Sequence, residues 1–209
     1  MRKEIWEQQT GERDHIKPVW KQPRGSYGNN FWQMYSWKLD RDVHFYSSLE
    51  RDHGVIVEAD PTVASFCEQP LRINIKVDGR DRETVMDMLI QFTDGRTEYR
   101  EIKYESDVQE ADDHSRVARQ LAAQREWAFV TANDYKVVTD KEIRRNPTFL
   151  RNWKQILAYL ATYASYDLAE IEHQLLAAFD IKPSWSLNDL EQYLARPERQ
   201  AVKAAIFRL

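Results

Sequence analysis

Two alternating runs joined by an Asp-Gly pair constrain this chain more than any other feature. Over residues 86–92, Met86, Met88, Ile90 and Phe92 fall on one face and Asp87, Leu89 and Gln91 on the other. Over residues 98–104, Tyr99, Glu101 and Lys103 share a face opposite Arg100, Ile102 and Tyr104. The linker TDGR at 93–96 signals a hairpin. A two-residue loop at Asp94 and Gly95 would pair Asp87 with Ile102 and turn it away from Glu101. A three-residue loop, 93–95, with Gly95 left-handed in a G1 bulge, sets Asp87 opposite Glu101. Only the bulged hairpin brings the two carboxylates together.

A third carboxylate comes from upstream. A helix is expected over residues 43–59, with Phe45, Leu49 and Ile56 as its buried stripe and Gly54 weakening it. Glu50 stands at the stripe's margin, about 100° round from Leu49. Three carboxylates and an ammonium suit metal-assisted phosphodiester hydrolysis. Asp87, Glu101 and Glu50 are hard oxygen ligands for Mg2+, with Mn2+ able to substitute, and Lys103 would orient the attacking water or steady the scissile phosphate. The spacing D-x13-E-x-K has the form of the PD-(D/E)xK nuclease core, with Met86 where that pattern usually has proline. Alone it is a weak motif, because 34 acidic and 30 basic residues will place a Glu-x-Lys on some strand by chance.

A wider resemblance strengthens it. FYSSLERD at 45–52, DPTVASFCEQPLRI at 60–73, the strand around Asp87, EIK at 101–103 and VVTDKEIRRNPTFLRNWKQIL at 137–157 together resemble TnsA, the endonuclease subunit of heteromeric transposases. FCEQP is the most specific block. The resemblance implies that Glu50, Asp87 and Lys103 are the catalytic acid, acid and lysine, and that Glu101 stands where members carry Glu or Gln. It implies a restriction-endonuclease-like α/β fold, a mixed sheet flanked by helices. It also implies cutting of the 5' strands at transposon-end DNA, beside a separate TnsB-like transposase and a TnsC-like AAA+ ATPase.

Composition sets outer bounds. At 209 residues the chain suits one large or two small domains, and 42% hydrophobic residues indicate a folded protein. The charged start MRKEIWEQQTGERD is unlike a signal peptide and no apolar run approaches a membrane span, so a cytoplasmic location without membrane contact is expected. Cys67 is alone, which excludes an internal disulfide and a cysteine zinc cluster, and reads as a buried thiol. The five histidines form no ligand pair. A net charge of −4 is unlike an autonomous DNA binder, so a partner is expected to deliver the chain to DNA.

Residues 1–44 hold four of the seven tryptophans among basic residues, prolines and glycines, and read as an irregular arm. Lys38, with Arg80 and Arg82 further on, is a candidate phosphate contact. Residues 45–145 read as the nuclease core. Strands are expected over 63–67 and 71–77, then an Asp78-Gly79 turn into the Asp87 strand, with Gln69 a candidate hydrogen-bonding partner of the site. A helix over 112–126 offers Gln120 as a polar residue beside the metal site, and strands over 127–131 and 135–138 close the core.

Residues 146–209 read as a small all-α domain of helix-turn-helix type, an abbreviated winged helix that stops before any wing. A capping box at Thr139-x-x-Glu142 starts a helix just before it, and Asp167-x-x-Glu170 and Ser186-x-x-Asp189, with Pro147 and Pro183, mark its own helix ends. Its seven Lys/Arg against seven Asp/Glu point to protein contact rather than a DNA recognition helix. Two readings follow: an endonuclease working only in a complex, or a non-catalytic adaptor on the same fold that links ATPase to transposase. A stand-alone restriction or repair nuclease is disfavoured for want of a basic excess.

Overall fold

The structure is a computed structural model that describes residues 17–19, 30–77, 80–111, 115–194 and 198–209, the side chains of 75–77 and 80–82 excepted. Most of the expected N-terminal arm therefore lies outside the described residues.

The core is a four-stranded mixed sheet. β3 (Val63–Glu68), β6 (Met88–Phe92), β7 (Thr97–Lys103) and β8 (Asp134–Thr139) lie in the order β3-β6-β7-β8. The first three are antiparallel neighbours, and β7 and β8 run parallel. A parallel pair needs a long crossover. Here it contains α2 (Glu105–Gln109) and α3 (Arg116–Thr131).

Residues 30–45, taken from sequence as the end of an irregular arm and the start of a helix, instead form a hairpin of β1 (Trp32–Ser36) and β2 (Arg41–Phe45). Their alternation, Val43 and Phe45 inward, is a strand's period rather than a helix's. The helix, α1, is accordingly shorter, Ser48–Ala59, and Ser47 caps it by accepting from the Glu50 amide. Gly54 has a packing reason: a Cβ there would lie 2.4 Å from Cζ of Phe45.

Two further boundaries differ from expectation. β4 (Arg72–Val77) and β5 (Arg80–Val85) form a separate two-stranded hairpin, so the turn at 78–79 does not lead straight into the Asp87 strand. Residues 127–131 are not a strand but the end of α3, where Trp127 and Ala128 pack on Ile73 and Met86. Their apolar run fits a buried helix segment as well as a strand, which periodicity alone cannot separate. Ala132, left-handed at φ 54°, ends α3.

α1 and α3 cover opposite faces of the sheet. Leu49 of α1 packs on Ile102 and Val138, and Trp127 of α3 meets Tyr99 edge-on. After β8 comes α4 (Asp140–Ile143), for which Thr139 makes no side-chain cap. The long α5 (Pro147–Thr162) is capped by Asn146. Its Leu150, Leu157 and Leu160 pack against Val55 of α1. Three more helices follow: α6 (Ala169–Ile181), α7 (Leu187–Tyr193) and α8 (Arg199–Arg208). They bury a separate cluster around Leu175, Leu190, Val202 and Ala205. Ser186 caps α7 as its motif requires, whereas Asp167 accepts from Ala169 while Leu168 holds the cap position of α6. Among the described residues, no helix is long and apolar enough to cross a membrane.

Candidate active site

The β6–β7 hairpin takes the bulged register. Met88 pairs with Arg100 and Gln91 with Thr97, and Gly95 is left-handed at φ 88°. Phe92 N–H donates to Arg96 O at 2.9 Å across the three-residue loop. Continued by one residue, that register sets Asp87 opposite Glu101. Asp87 lies just before β6, where Gln69 N–H donates to its carbonyl at 3.0 Å. Its Oδ2 accepts from Ile102 N–H at 2.7 Å.

Glu101 is fully buried and each of its carboxylate oxygens already has a donor. Oε1 accepts from Lys103 Nζ at 2.5 Å and Gln120 Nε2 at 2.7 Å, and Oε2 accepts from Gln124 Nε2 at 2.7 Å. The two glutamines share Thr84 Oγ1 as a further acceptor, and Gln124 Oε1 takes the Tyr135 hydroxyl at 2.8 Å. Gln120 thus reaches Glu101 as its position on the helix suggested. Gln124, also fully buried, is its partner one turn on, and a glutamine at i+4 inside an apolar stripe was the signal for it. Thr84 and Tyr135 carried no such signal, because they arrive through the β4–β5 hairpin and the parallel crossover.

Glu50 sits in the first turn of α1. Its amide donates to Ser47 Oγ at 3.0 Å and its Oε2 accepts from Tyr46 N–H at 3.1 Å, a variant of the capping box. Gln69 Nε2 lies 3.4 Å from the same oxygen. Gln69 is itself left-handed at φ 39°, which a non-glycine residue adopts only when its surroundings hold it. Its carbonyl accepts from Val19 N–H at 2.9 Å, so it joins β3, Asp87, Glu50 and the segment at 17–19.

These groups sense one another's charge. Burial, then Glu101 and Glu50, push the Asp87 carboxyl well above the usual range. Glu50 is raised by burial and by Glu101, and Glu101 by burial against the pull of Lys103 and the two glutamines. Burial opposes a charged Lys103, but Glu101, Asp87 and Glu50 outweigh it and keep the ammonium protonated. Three carboxylates therefore face one cation.

Other expected contacts lie elsewhere. Lys38 does not face the site: its ammonium donates to Val63 O at 2.9 Å and ties the β1–β2 turn to β3. The side chains of Arg80 and Arg82 are outside the described residues. Cys67 is buried, and burial pushes its thiol up to about 12, so it is no nucleophile at neutral pH. Among the described residues, no three His, Cys, Asp or Glu side chains stand in a geometry that could hold a metal ion.

Residues 60–140 match the family model described as the TnsA-like endonuclease N-terminal domain. Over that stretch the chain is similar to a TnsA-like endonuclease N-terminal domain. This match runs from the approach to β3 through the first residue of α4, and so includes Gln69, Asp87, Glu101, Lys103, Gln120 and Gln124. Glu50 and the C-terminal helices lie outside it. No curated protein matches the chain. The TnsA-like domain supports an endonuclease role in Tn7-type transposition.

Proposed function

We propose that this TnsA-like protein is a Mg2+-dependent DNA endonuclease that cuts the 5' strands at transposon ends, beside a TnsB-like transposase and a TnsC-like AAA+ ATPase. On this reading the sheet between α1 and α3 is restriction-endonuclease-like, and the C-terminal helices form an abbreviated winged-helix-like domain for protein contact. The observation that carries it is the grouping of Asp87, Glu101 and Glu50 around the single cation Lys103, each carboxyl raised by burial, with neighbouring carboxylate charge adding to Asp87 and Glu50. A structural ion pair balances its charges. This set does not. Its donors are the hard oxygens that a divalent magnesium or manganese ion takes, but in the resting arrangement no three of them stand in a metal-holding geometry, so binding would require Glu101 to exchange one of its present donors for the ion.

Asp87, Glu50 and Glu101 would hold that ion, which when bound supplies charge neutralisation at the phosphate and a more acidic water. The chain's own groups set the rest. Ile102 N–H fixes the rotation of Asp87, and Tyr46 N–H and Ser47 fix Glu50 at the head of α1. Gln120 and Gln124 hold Glu101 in the plane that faces Lys103. Lys103 keeps its proton, so it acts as a hydrogen-bond donor and electrostatic stabiliser for a phosphate oxygen rather than as a base.

A second reading, the non-catalytic adaptor, is favoured by one observation: Glu101 already has a donor on both oxygens, so the resting arrangement is closed. The two readings separate in calorimetry of Mn2+ binding with a short duplex present. Binding in the wild type that Asp87→Ala abolishes supports the nuclease. Equal heats in both, or none in either after the transposase is added, support the adaptor.

A further inference from the structure

A net charge of −4 hides a local reversal of sign. Between positions 141 and 154 the sequence holds five Lys/Arg and one Asp/Glu, an excess that net composition conceals. The fold gathers part of it around one buried carboxylate. Asp52 of α1, 4% exposed, accepts from Lys154 Nζ at 2.5 Å, Arg144 Nε at 3.0 Å and Arg51 Nη2 at 3.1 Å. Arg151, exposed on the next turn of α5, makes no ion pair among the described residues. Three cations thus meet one anion, with Arg151 as a fourth beside them, and Glu142 and Asp140 are engaged elsewhere: Glu142 holds Lys136, and Asp140 accepts the Glu105 amide.

Arg144, Arg151 and Lys154 rim a groove of about 440 Å³ floored by Pro147, Leu150 and Ala158. The floor offers no carboxylate. Pro147 to Ala158 covers roughly 16 Å of helix axis, the span of about five base-pair rises. One rim residue of the groove approaches the residue that follows Lys103. Arg51 follows Glu50 directly, and the Arg144 guanidinium lies 6.0 Å from the ring of Tyr104, the residue after Lys103. Tyr104 is exposed.

We propose that the α4–α5 groove is a track for the DNA phosphate backbone flanking the cut, with Arg144, Arg151 and Lys154 as its contacts. This rests on the endonuclease reading, since it is the approach of the Arg144 rim to Tyr104, the residue after Lys103, that selects DNA over an acidic protein segment. Phosphates entering the groove compete with Asp52 for Arg144 and Lys154, while Arg151 is available without rearrangement. The contact is independent of base identity, so it positions the duplex and leaves recognition of the end to others.

The test is binding of a labelled duplex of about 30 base pairs, followed by anisotropy across salt concentrations. Arg144 and Lys154 neutralise buried Asp52, so their removal would threaten folding; the variants are Arg151→Glu and Ala158→Glu, both at exposed positions. Arg96→Glu, at the β6–β7 turn, is the control with the same charge change. Each groove variant is expected to weaken binding severalfold, and Arg151→Glu to flatten the salt slope by about one contact, with Arg96→Glu close to wild type. No duplex binding by the wild type at low salt, or equal weakening by all three variants, would overturn the track. Mn2+ calorimetry on Arg151→Glu keeps the two questions apart: retained metal binding with lost duplex binding supports the track, and duplex binding lost only in the groove variants while no protein binds metal would remove the nuclease but keep the DNA surface.

Discussion

The Ile102 amide donates to Asp87 Oδ2 at 2.7 Å, which anchors the end of one strand's approach to the strand that carries Glu101 and Lys103. The bond also explains why a buried acid tolerates this place. It orients the carboxylate but does not offset its desolvation, so Asp87 remains raised, with the Glu101 and Glu50 charges adding to burial.

That imbalance makes stability depend on pH with a definite sign. A carboxyl raised in the folded state binds protons more tightly than in the unfolded chain, so stability falls as pH rises from about 4 through the folded values. Asp87, Glu50 and Glu101 all act in this direction. Asp87→Asn removes one charge and relieves the other two. Without divalent metal its melting temperature at pH 8 should exceed that of the wild type, by about 2–4 °C for each 1 kcal/mol relieved, and the two should converge near pH 4. Cleavage by the same variant should be lost. A wild-type melting curve that does not shift between pH 5 and pH 8 would refute the imbalance.

Divalent ions should reverse the effect. At a concentration 100-fold above its dissociation constant, Mn2+ should add about 2.7 kcal/mol to the wild type. The increment should grow with pH, because the ligands must be ionised to bind. Thermal melts with and without Mn2+ measure it, and Asp87→Ala should show no increment.

How much of this was legible beforehand follows from what each signal depends on. The register that sets Asp87 opposite Glu101 was readable because a turn and a period of two determine it locally, and Gly95 supplied the turn. The hairpin at 32–45 was not, because Val43 and Phe45 also fit the start of a helix stripe and only pairing with β1 decides between them. Residues 127–131 were misread for the same reason. Glu101 could be proposed, but not its closure by Gln120, Gln124 and Thr84, which joins residues far apart in sequence through the crossover and a separate hairpin. The basic groove at Arg144, Arg151 and Lys154 was lost in the net charge of the whole chain.

Closure of Glu101 can be tested in isolation. Gln124→Leu would leave Glu101 Oε2 without its donor and the Tyr135 hydroxyl without its acceptor, both buried or nearly so. An orphaned buried polar group costs about 1–3 kcal/mol, so urea denaturation should show a loss in or above that range. Tyr135→Phe deletes only the outer donor and should cost less, about 1 kcal/mol. Equal costs would mean that the bond to Glu101 contributes nothing of its own.

The last prediction concerns how α1 is held where Glu50 is needed. In a helix interior Gly→Ala ordinarily stabilises by about 1 kcal/mol through propensity. At Gly54 the added Cβ would lie 2.4 Å from Cζ, 2.9 Å from Cε2 and 3.0 Å from Cε1 of Phe45. The whole ring edge is in the way, and Phe45 is 1% exposed and packed by Val43, Val57 and Ile90, so it has nowhere to swing. Overpacking of this kind costs about 1–3 kcal/mol, which outweighs the propensity gain. Gly54→Ala should therefore destabilise, and by lifting α1 off β2 it should also weaken Mn2+ binding at Glu50. Pairing it with Phe45→Leu removes the clash, and the double variant should recover part of the metal affinity that the single variant loses. A stabilising Gly54→Ala would show that the helix can shift freely over β2, and that Glu50 owes its position to the Ser47 cap alone.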